Sequence, residues 1–210
     1  MNYFFDFDGT LMDSMPTWAG VHINMLKRFN IDVPEDFVKT ITPLGNKRAS
    51  LYTISLGVDL SYGEYTDIIE KTLFYEYTEK IVLKSKVAKT LTELKKKGHS
   101  LRVLTASPHK YVDPCLARNG IFDLFDDIWS IDDFGYTKGE TAIYNAAAER
   151  IGAPLAECVM VDDNVTAIKT AAEAGMRTVG VYDGTADSLV DDMKRASELY
   201  IYEFDEILNF

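Results

Sequence analysis

The sequence predicts an α/β fold: a three-layer core, in which a parallel sheet is covered by helices on both faces, and an all-helical insertion early in the chain. Two observations support this prediction. After residue 82, short apolar runs alternate with segments of helical periodicity, and repeated strand–helix units form parallel sheets. Between residues 14 and 81, only helical patterns are strong. We therefore expect an α/β core of residues 1–13 and 82–210, with a helical domain of residues 14–81 inserted into it.

The first elements are a strand and the helices of the insertion. Tyr3-Phe4-Phe5 is an apolar run typical of a short buried strand that ends in an acidic loop. Asp13 or Ser14 can cap the helix that follows, and Pro16 suits its first turn. We expect helices over residues 14–29, 34–41, 46–56 and 62–78, with a turn at Thr42-Pro43-Leu44-Gly45.

The second part of the chain alternates between helices and strands. Helices are expected over residues 86–97, 108–119, 139–151, 164–174 and 186–196, and the first four of these are followed by glycine, which suits a helix C-terminal cap. Strands are expected over residues 101–105, 128–131, 158–161, 178–182 and 199–202. In a parallel sheet of this kind, ligands bind beyond the carboxyl ends of the strands.

Composition and charge exclude several classes of protein. The chain of 210 residues carries 22 Lys and Arg against 33 Asp and Glu, a net charge of −11 at pH 7, which opposes binding to nucleic acid or to an anionic membrane. No apolar run approaches the roughly 20 residues of a membrane-spanning helix, and the N-terminal residues do not form a signal peptide. Cys115 and Cys158 form no zinc-like cluster, so we expect reduced, buried thiols in a cytoplasmic protein.

Polar side chains follow three of the predicted strands, at the point where each strand ends. They are Asp6 and Asp8, Thr105 and Ser107, and Asp162 and Asp163, while Lys138 opens a helix. Because the carboxyl ends of parallel strands meet at one edge of a sheet, we expect these side chains to lie close together. Helix capping would explain Asp162 or Asp163, but not Asp6 and Asp8 together. A calcium loop fails on spacing, because Gly9 is the fourth residue of the loop rather than the sixth.

The series Asp6-Phe7-Asp8-Gly9-Thr10, Thr105, Lys138 and Asp162-Asp163 resembles the motifs of the haloacid dehalogenase-like superfamily, in the branch of the phosphoglycolate phosphatases and β-phosphoglucomutases. The resemblance covers the whole chain and implies a Rossmann-like core with residues 14–81 as a small helical cap. The chain departs from this branch at the fourth motif, where Val161-Asp162-Asp163 stands in place of the frequent Gly-Asp-Ser. We therefore expect the metal site to depend on Asp162, with Asp163 as a second acidic partner.

The resemblance implies a Mg²⁺-dependent phosphatase that acts on a small phosphorylated metabolite. Asp6 would attack the phosphate and carry it as an aspartyl-phosphate, and Asp8 would act as general acid and base. Lys138 would place a positive charge beside the nucleophile and the phosphate. Thr105, through its hydroxyl group, and Ala106, through its backbone N–H, would hold the phosphate oxygens.

The charge of this cluster calls for a metal ion. The Asp6 carboxylate and a phosphate about 4 Å apart repel each other by ~4 kcal/mol at an effective dielectric constant of about 20. A divalent cation offsets this repulsion, and oxygen ligands favour Mg²⁺. The superfamily implies coordination by the carboxylate of Asp6, the backbone carbonyl of Asp8 and the carboxylate of Asp162, and Thr10 is expected to hydrogen-bond Asp8.

Three other functions are open at this point. A phosphomutase of the β-phosphoglucomutase type typically has a histidine in the first cap helix, where this chain has Trp18; His22, one turn later, is expected to be a packed core residue. Response-regulator receiver domains use similar residues, but they are about half as long and their acidic pair comes first. A binding protein without activity could use the same scaffold, although every chemical position is intact here. Hydrolysis is therefore the favoured function.

Substrate specificity is expected to come from the helical cap. Lys47 and Arg48 follow a turn and lie near the start of a predicted helix, so their cations could face the non-phosphate end of an anionic substrate. The sequence leaves the oligomeric state open.

Overall fold

The computed structural model describes residues 1–41 and 44–210, and the turn expected at Thr42 and Pro43 lies outside them. The chain divides into two compact units. One unit consists of Met1–Asp13 and Ile81–Phe210, and the other consists of Ser14–Lys80. The interpretation of the second unit as a cap domain stays a prediction.

The described part of the smaller unit contains four α-helices: α1 (Met15–Arg28), α2 (Phe37–Ile41), α3 (Gly45–Ser55) and α4 (Tyr62–Tyr75). Helix α1 packs against α3 and α4. A capping box starts α4, because the Ser61 side chain accepts from the Glu64 N–H and the Glu64 carboxylate accepts from the Ser61 N–H. Helix α4 ends earlier than predicted, and Glu76–Lys80 continue as a π-helix. Helix α2 also differs from the prediction, because residues 35 and 36 form a turn before it.

The larger unit is built on a six-stranded parallel sheet. Its strands are β1 (Asn2–Phe5), β2 (Ser100–Thr105), β3 (Asp127–Ser130), β4 (Cys158–Asp162), β5 (Arg177–Val181) and β6 (Leu199–Ile201). Their order across the sheet is β3-β2-β1-β4-β5-β6. The predicted parallel sheet is confirmed, and β1 lies between β2 and β4, so the ends of these three strands are neighbours.

Five α-helices connect the strands: α5 (Val87–Lys96), α6 (His109–Arg118), α7 (Thr141–Arg150), α8 (Val165–Ala174) and α9 (Val190–Ala196). Helix α5 begins one residue later than predicted, because Lys86 has a φ of 66°, in the left-handed region. The helix predicted from residue 186 is a 3-10 segment, Gly184–Leu189, before it becomes α9, since Ala186 has a non-helical φ of −116°. A further 3-10 segment, Phe204–Asn209, follows β6 and was not predicted.

Both faces of the sheet are covered, as the alternation of side chains along β1 shows. Phe4 belongs to a buried cluster with residues of α7, α8 and α9, including Tyr144, Ile168 and Met193. Tyr3 and Phe5 point to the opposite face, where the Phe5 ring meets Phe125 and Phe204. The three-layer core predicted from the sequence is therefore confirmed.

Both cysteines are free and buried, as expected. Burial raises the pKa of the Cys115 thiol to about 11, so this thiol is not poised to be a nucleophile. The cytoplasmic location inferred from the sequence stays a prediction. Among the helices described, none has the length and apolar character needed to cross a membrane.

Candidate active site

The predicted site residues lie at the carboxyl edge of the sheet, around the ends of β1, β2 and β4. Asp6 follows β1 directly, and its N–H donates to the Val161 carbonyl of β4 at 2.9 Å, which extends the ladder beyond the strand. Thr105 is the last residue of β2 and Asp162 is the last residue of β4. Register between these strands thus brings together side chains that are far apart in the sequence.

Lys138 joins two of these carboxylates. Its Nζ lies 2.6 Å from Oδ1 of Asp6 and 2.8 Å from Oδ2 of Asp162. The Asp162 side chain is fully buried, and those of Lys138 and Asp6 are nearly so. Burial alone would lower the pKa of Lys138, but the charges of Asp162 and Asp6 outweigh it and raise that pKa above its usual range. Lys138 is therefore a fixed positive charge.

Tyr144 supports Lys138 from α7, and sequence reasoning did not identify it. Its buried hydroxyl group lies 2.8 Å from the Lys138 carbonyl and 3.0 Å from the Ala167 carbonyl. These contacts hold the turn that carries Lys138 against α8. Tyr144 gives no signal of a site in the sequence, because its position on the apolar face of a helix is typical of a core residue.

Asp163 completes a cluster of three acids. One carboxylate oxygen each from Asp6, Asp162 and Asp163 lie within 4.8 Å of one another. Burial, followed by the charges of Asp162 and Asp6, raises the pKa of Asp163 well above its usual range. Complete burial likewise raises the pKa of Asp162, although the charge of Lys138 opposes this. With all three acids ionised, the single ammonium group leaves an excess of negative charge, which a divalent cation with oxygen ligands would neutralise.

The two acids at the end of β4, Asp162 and Asp163, differ in their partners. Both oxygens of Asp162 have donors, because Oδ2 accepts from Lys138 and Oδ1 accepts from the Asn164 N–H at 2.8 Å. Oδ1 of Asp163 accepts from the Thr10 hydroxyl group at 2.9 Å. Asp162 is thus committed to holding Lys138, which makes Asp163 the better candidate for a metal ligand.

Thr10 has a different partner from the one expected. We expected it to hydrogen-bond Asp8, but its hydroxyl proton goes to Asp163 and its oxygen accepts from the Asp163 N–H at 3.0 Å. A hydroxyl group has one proton to donate, so Thr10 supports Asp163 instead. The loop that follows β1 therefore braces the acid that directly follows β4.

Asp8 instead contacts the loop after β2. The Ser107 hydroxyl group donates to Oδ2 of Asp8, and the Ser107 N–H donates to the Thr105 hydroxyl oxygen at 3.0 Å. Thr105 and Ser107 are buried, whereas Ala106 between them is exposed. Ser107 was predicted to lie at this edge but was assigned no role, because its partner is set by the tertiary structure.

Helix capping does not explain the two acids at the end of β4. The N-cap of α8 is Asn164, whose side-chain oxygen accepts from the N–H groups of Thr166 and Ala167 at 2.9 and 3.2 Å. The alternative in which Asp162 or Asp163 caps this helix is therefore wrong.

His22, in the smaller unit, is a packed core residue, as predicted. Its side chain is buried, its Nδ1 lies 2.7 Å from the Tyr65 hydroxyl oxygen, and Thr53 lies nearby. Burial lowers the pKa of His22 to about 4, so the ring is neutral at pH 7. Lys47 and Arg48 are exposed on α3 of the same unit, and their role in specificity stays a prediction.

Comparison with known proteins identifies relatives over most of the chain. The family model described as haloacid dehalogenase-like hydrolase matches residues 3–181. A phosphoglycolate phosphatase of Haemophilus influenzae is 31% identical over 192 residues, which cover 86% of this chain and 84% of the relative. A pyrophosphatase of Bacillus velezensis is 27% identical over 180 residues, which cover 84% and 81%.

Solved structures share the fold. A candidate β-phosphoglucomutase of Thermotoga maritima superimposes with a TM-score of 0.86 at 21% identity, covering 99% of this chain and 96% of that one. A candidate phosphoglycolate phosphatase of Haemophilus somnus superimposes with a TM-score of 0.78 at 25% identity, again covering 99% and 96%. The likeness extends over the entire chain.

Proposed function

Because the chain belongs to the haloacid dehalogenase-like hydrolase family, we propose that it is a metal-dependent phosphatase that hydrolyses a small phosphomonoester. The observation that carries this proposal is the contact of Lys138 with Asp6 and Asp162, next to Asp163. The arrangement combines a carboxylate nucleophile, a fixed cation and acidic ligands at one edge of the sheet.

Asp6 is the proposed nucleophile. A carboxylate oxygen of Asp6 attacks phosphorus and the bond from phosphorus to the substrate oxygen breaks, which leaves an aspartyl-phosphate and an alcohol. Lys138 orients the Asp6 carboxylate through its 2.6 Å contact and offsets the charge of the incoming phosphate. Water then attacks the phosphorus of the aspartyl-phosphate, releases inorganic phosphate and regenerates Asp6.

Asp8 is the proposed general acid and base. It donates a proton to the departing alcohol oxygen and later accepts one from the attacking water. Its hydrogen bond from Ser107 fixes the direction in which the carboxyl group points. The Thr105 hydroxyl group and the Ala106 N–H are the proposed donors to the phosphate oxygens, with Thr105 buried and held by the Ser107 N–H.

The acidic cluster supports the binding of Mg²⁺. We assign the carboxylates of Asp6 and Asp163 and the backbone carbonyl of Asp8 as ligands, and Asp162 as the residue that holds Lys138. This differs from the sequence-based expectation, which relied on Asp162. When bound, Mg²⁺ offsets the negative charge of the carboxylates and the phosphate.

Hydrolysis is favoured over phosphomutase chemistry by the environment of His22. Its ring is buried in contact with Tyr65 and Thr53, which does not suit a residue that exchanges protons with a substrate. The names of the relatives point to a small phosphorylated metabolite, and phosphoglycolate, which carries one carboxylate beyond its phosphate ester, is one compound to test first.

The function is tested by the release of inorganic phosphate from p-nitrophenyl phosphate. We expect activity with Mg²⁺, loss of activity with a chelator, and loss with Asp6→Asn while the circular dichroism spectrum is unchanged. Activity that survives Asp6→Asn would contradict the proposed nucleophile. A panel of phosphorylated metabolites, with β-glucose 1-phosphate and a bisphosphate activator included, then separates phosphatase from phosphomutase.

A further inference from the structure

Lys84 lies outside the cluster described above, but its side chain reaches the loop that carries Asp8. Its Nζ donates to the Gly9 carbonyl at 2.5 Å, to the Tyr182 carbonyl at 2.8 Å and to Oδ2 of Asp183 at 3.0 Å. An ammonium group has three protons, and these three acceptors use all of them. Lys84 therefore ties the loop after β1 to the end of β5.

Asp183 keeps the ammonium in place. It is buried, and its other oxygen accepts from the N–H and the hydroxyl group of Thr185 at 2.9 and 2.6 Å. Burial alone would raise the pKa of Asp183, but the hydrogen bonds from Thr185 and the charge of Lys84 lower it below its usual range. The Lys84 ammonium group that donates to the Gly9 carbonyl is thus held in place by Asp183, which is itself charged and hydrogen-bonded.

The segment that Lys84 holds is the one that braces Asp163. Gly9 has a φ of 73°, and a Cβ atom at this position would lie 2.5 Å from Oδ2 of Asp163. The next residue, Thr10, exchanges two hydrogen bonds with Asp163. The backbone of Lys84 adds a further tie, because its N–H donates to the Leu11 carbonyl at 2.9 Å.

We propose that Lys84 is a positioning residue for the metal site: it holds Gly9 and Thr10 against Asp163 and so pre-orients that carboxylate for a divalent cation. The inference rests on the proposed function, in which Asp163 is a metal ligand. Residues that orient metal ligands typically change affinity by 10- to 100-fold when removed.

Two simpler explanations make different predictions. If Lys84 acted only through its charge, its removal would strengthen the binding of a cation to a nearby acidic site. If it only paired with Asp183, its removal would destabilise the fold without changing the metal affinity of the folded protein. A positioning role predicts weaker metal binding by protein that is still folded.

The test is the dissociation constant for Mn²⁺ alone, measured by electron paramagnetic resonance without substrate. We expect Lys84→Met to weaken Mn²⁺ binding by about 10-fold. The matched control is Lys86→Met, which removes the same charge two residues away, where Lys86 pairs with Glu203 and Asp205 at the surface. This control should bind Mn²⁺ as the wild type does.

A double variant separates positioning from folding. Lys84→Met combined with Asp183→Asn leaves no buried charge unpaired, and the amide oxygen can still accept from Thr185. It should recover thermal stability lost by the single variant but keep the weakened Mn²⁺ binding. Unchanged or tighter binding in either folded variant, or a double variant that does not fold, would overturn the positioning role. A wild-type protein that binds no Mn²⁺ would instead overturn the proposed metal site itself.

Discussion

The Nζ of Lys138 lies 2.6 Å from Oδ1 of Asp6 and shares its charge with the fully buried Asp162. Burial disfavours the charged form of the Asp162 carboxyl group and raises its pKa, and the Lys138 ammonium opposes this effect. The proposed nucleophile and its electrostatic support are thus parts of one ion network.

Removing the Lys138 ammonium should cost both stability and activity. In Lys138→Met, Asp162 is left buried without its cation, and the loss of one partner of a buried pair typically costs about 3–5 kcal/mol. We expect a loss of this order in the free energy of unfolding of metal-free protein at pH 8, measured by urea denaturation. Lys138→Arg, which keeps the charge, should lose less stability. A stable and fully active Lys138→Met variant would contradict the role of the network.

Gly9 should be intolerant of a side chain because of Asp163. Gly9→Ala places a Cβ atom 2.5 Å from a carboxylate oxygen, at a φ of 73°. Gly98→Ala is the matched control, since Gly98 has a φ of 82° but no atom within 4 Å of the added Cβ. Both variants should lose about 1 kcal/mol from backbone strain. Only Gly9→Ala should also lose phosphatase activity and Mg²⁺ affinity, and equal behaviour of the two would rule out the Asp163 contact.

Ser107 should matter most for substrates with poor leaving groups. An alkyl alcohol needs a proton from Asp8 as it departs, whereas p-nitrophenolate leaves readily without one. Ser107→Ala removes the hydrogen bond to Asp8, so we expect kcat/KM to fall about 10-fold for an alkyl phosphate and much less for p-nitrophenyl phosphate. For each substrate, kcat/KM reports only the steps up to the phosphorylation of Asp6. A uniform fall for both substrates would show that Ser107 does not act through Asp8.

Arg48 tests the predicted role of the smaller unit in specificity. Arg48→Ala should raise KM for a substrate with a second anionic group, since a charge contact to that group is lost. It should leave KM for p-nitrophenyl phosphate unchanged, because that substrate has no anion beyond its phosphate. An equal rise in both KM values would argue against recognition by Arg48.

His109 should make a small contribution to stability that depends on pH. Its two ring nitrogens lie 2.9 Å from Asp133 and Asp113, whose hydrogen bonds raise the pKa of His109; Arg150 also lies near Asp133. A raised pKa in the folded state means that the stabilisation is complete below the unfolded pKa, about 6.5, and is lost as the pH rises through the folded value.

The test compares wild type with His109→Gln by urea denaturation at pH 5.5 and pH 9. The wild type should be more stable at pH 5.5 by less than about 1 kcal/mol, because the ring is partly exposed, and the difference should shrink at pH 9. His99→Gln is the matched control. Its stability difference from the wild type should change with pH in the opposite direction, since burial lowers the pKa of His99. A difference for His109→Gln that grows with pH would contradict the two-carboxylate contact.

The sequence by itself determined the order of strands and helices and the edge at which Asp6, Asp8, Thr105 and Asp162 collect. Apolar runs and helical patterns are local, and the parallel sheet then places the carboxyl end of every strand on one side. Only the tertiary structure decided which side chain meets which. It paired Thr10 with Asp163 rather than Asp8, committed Asp162 to Lys138, and brought Lys84 to Gly9. Such contacts depend on strand register and side-chain direction between distant segments, which no periodicity along the chain encodes.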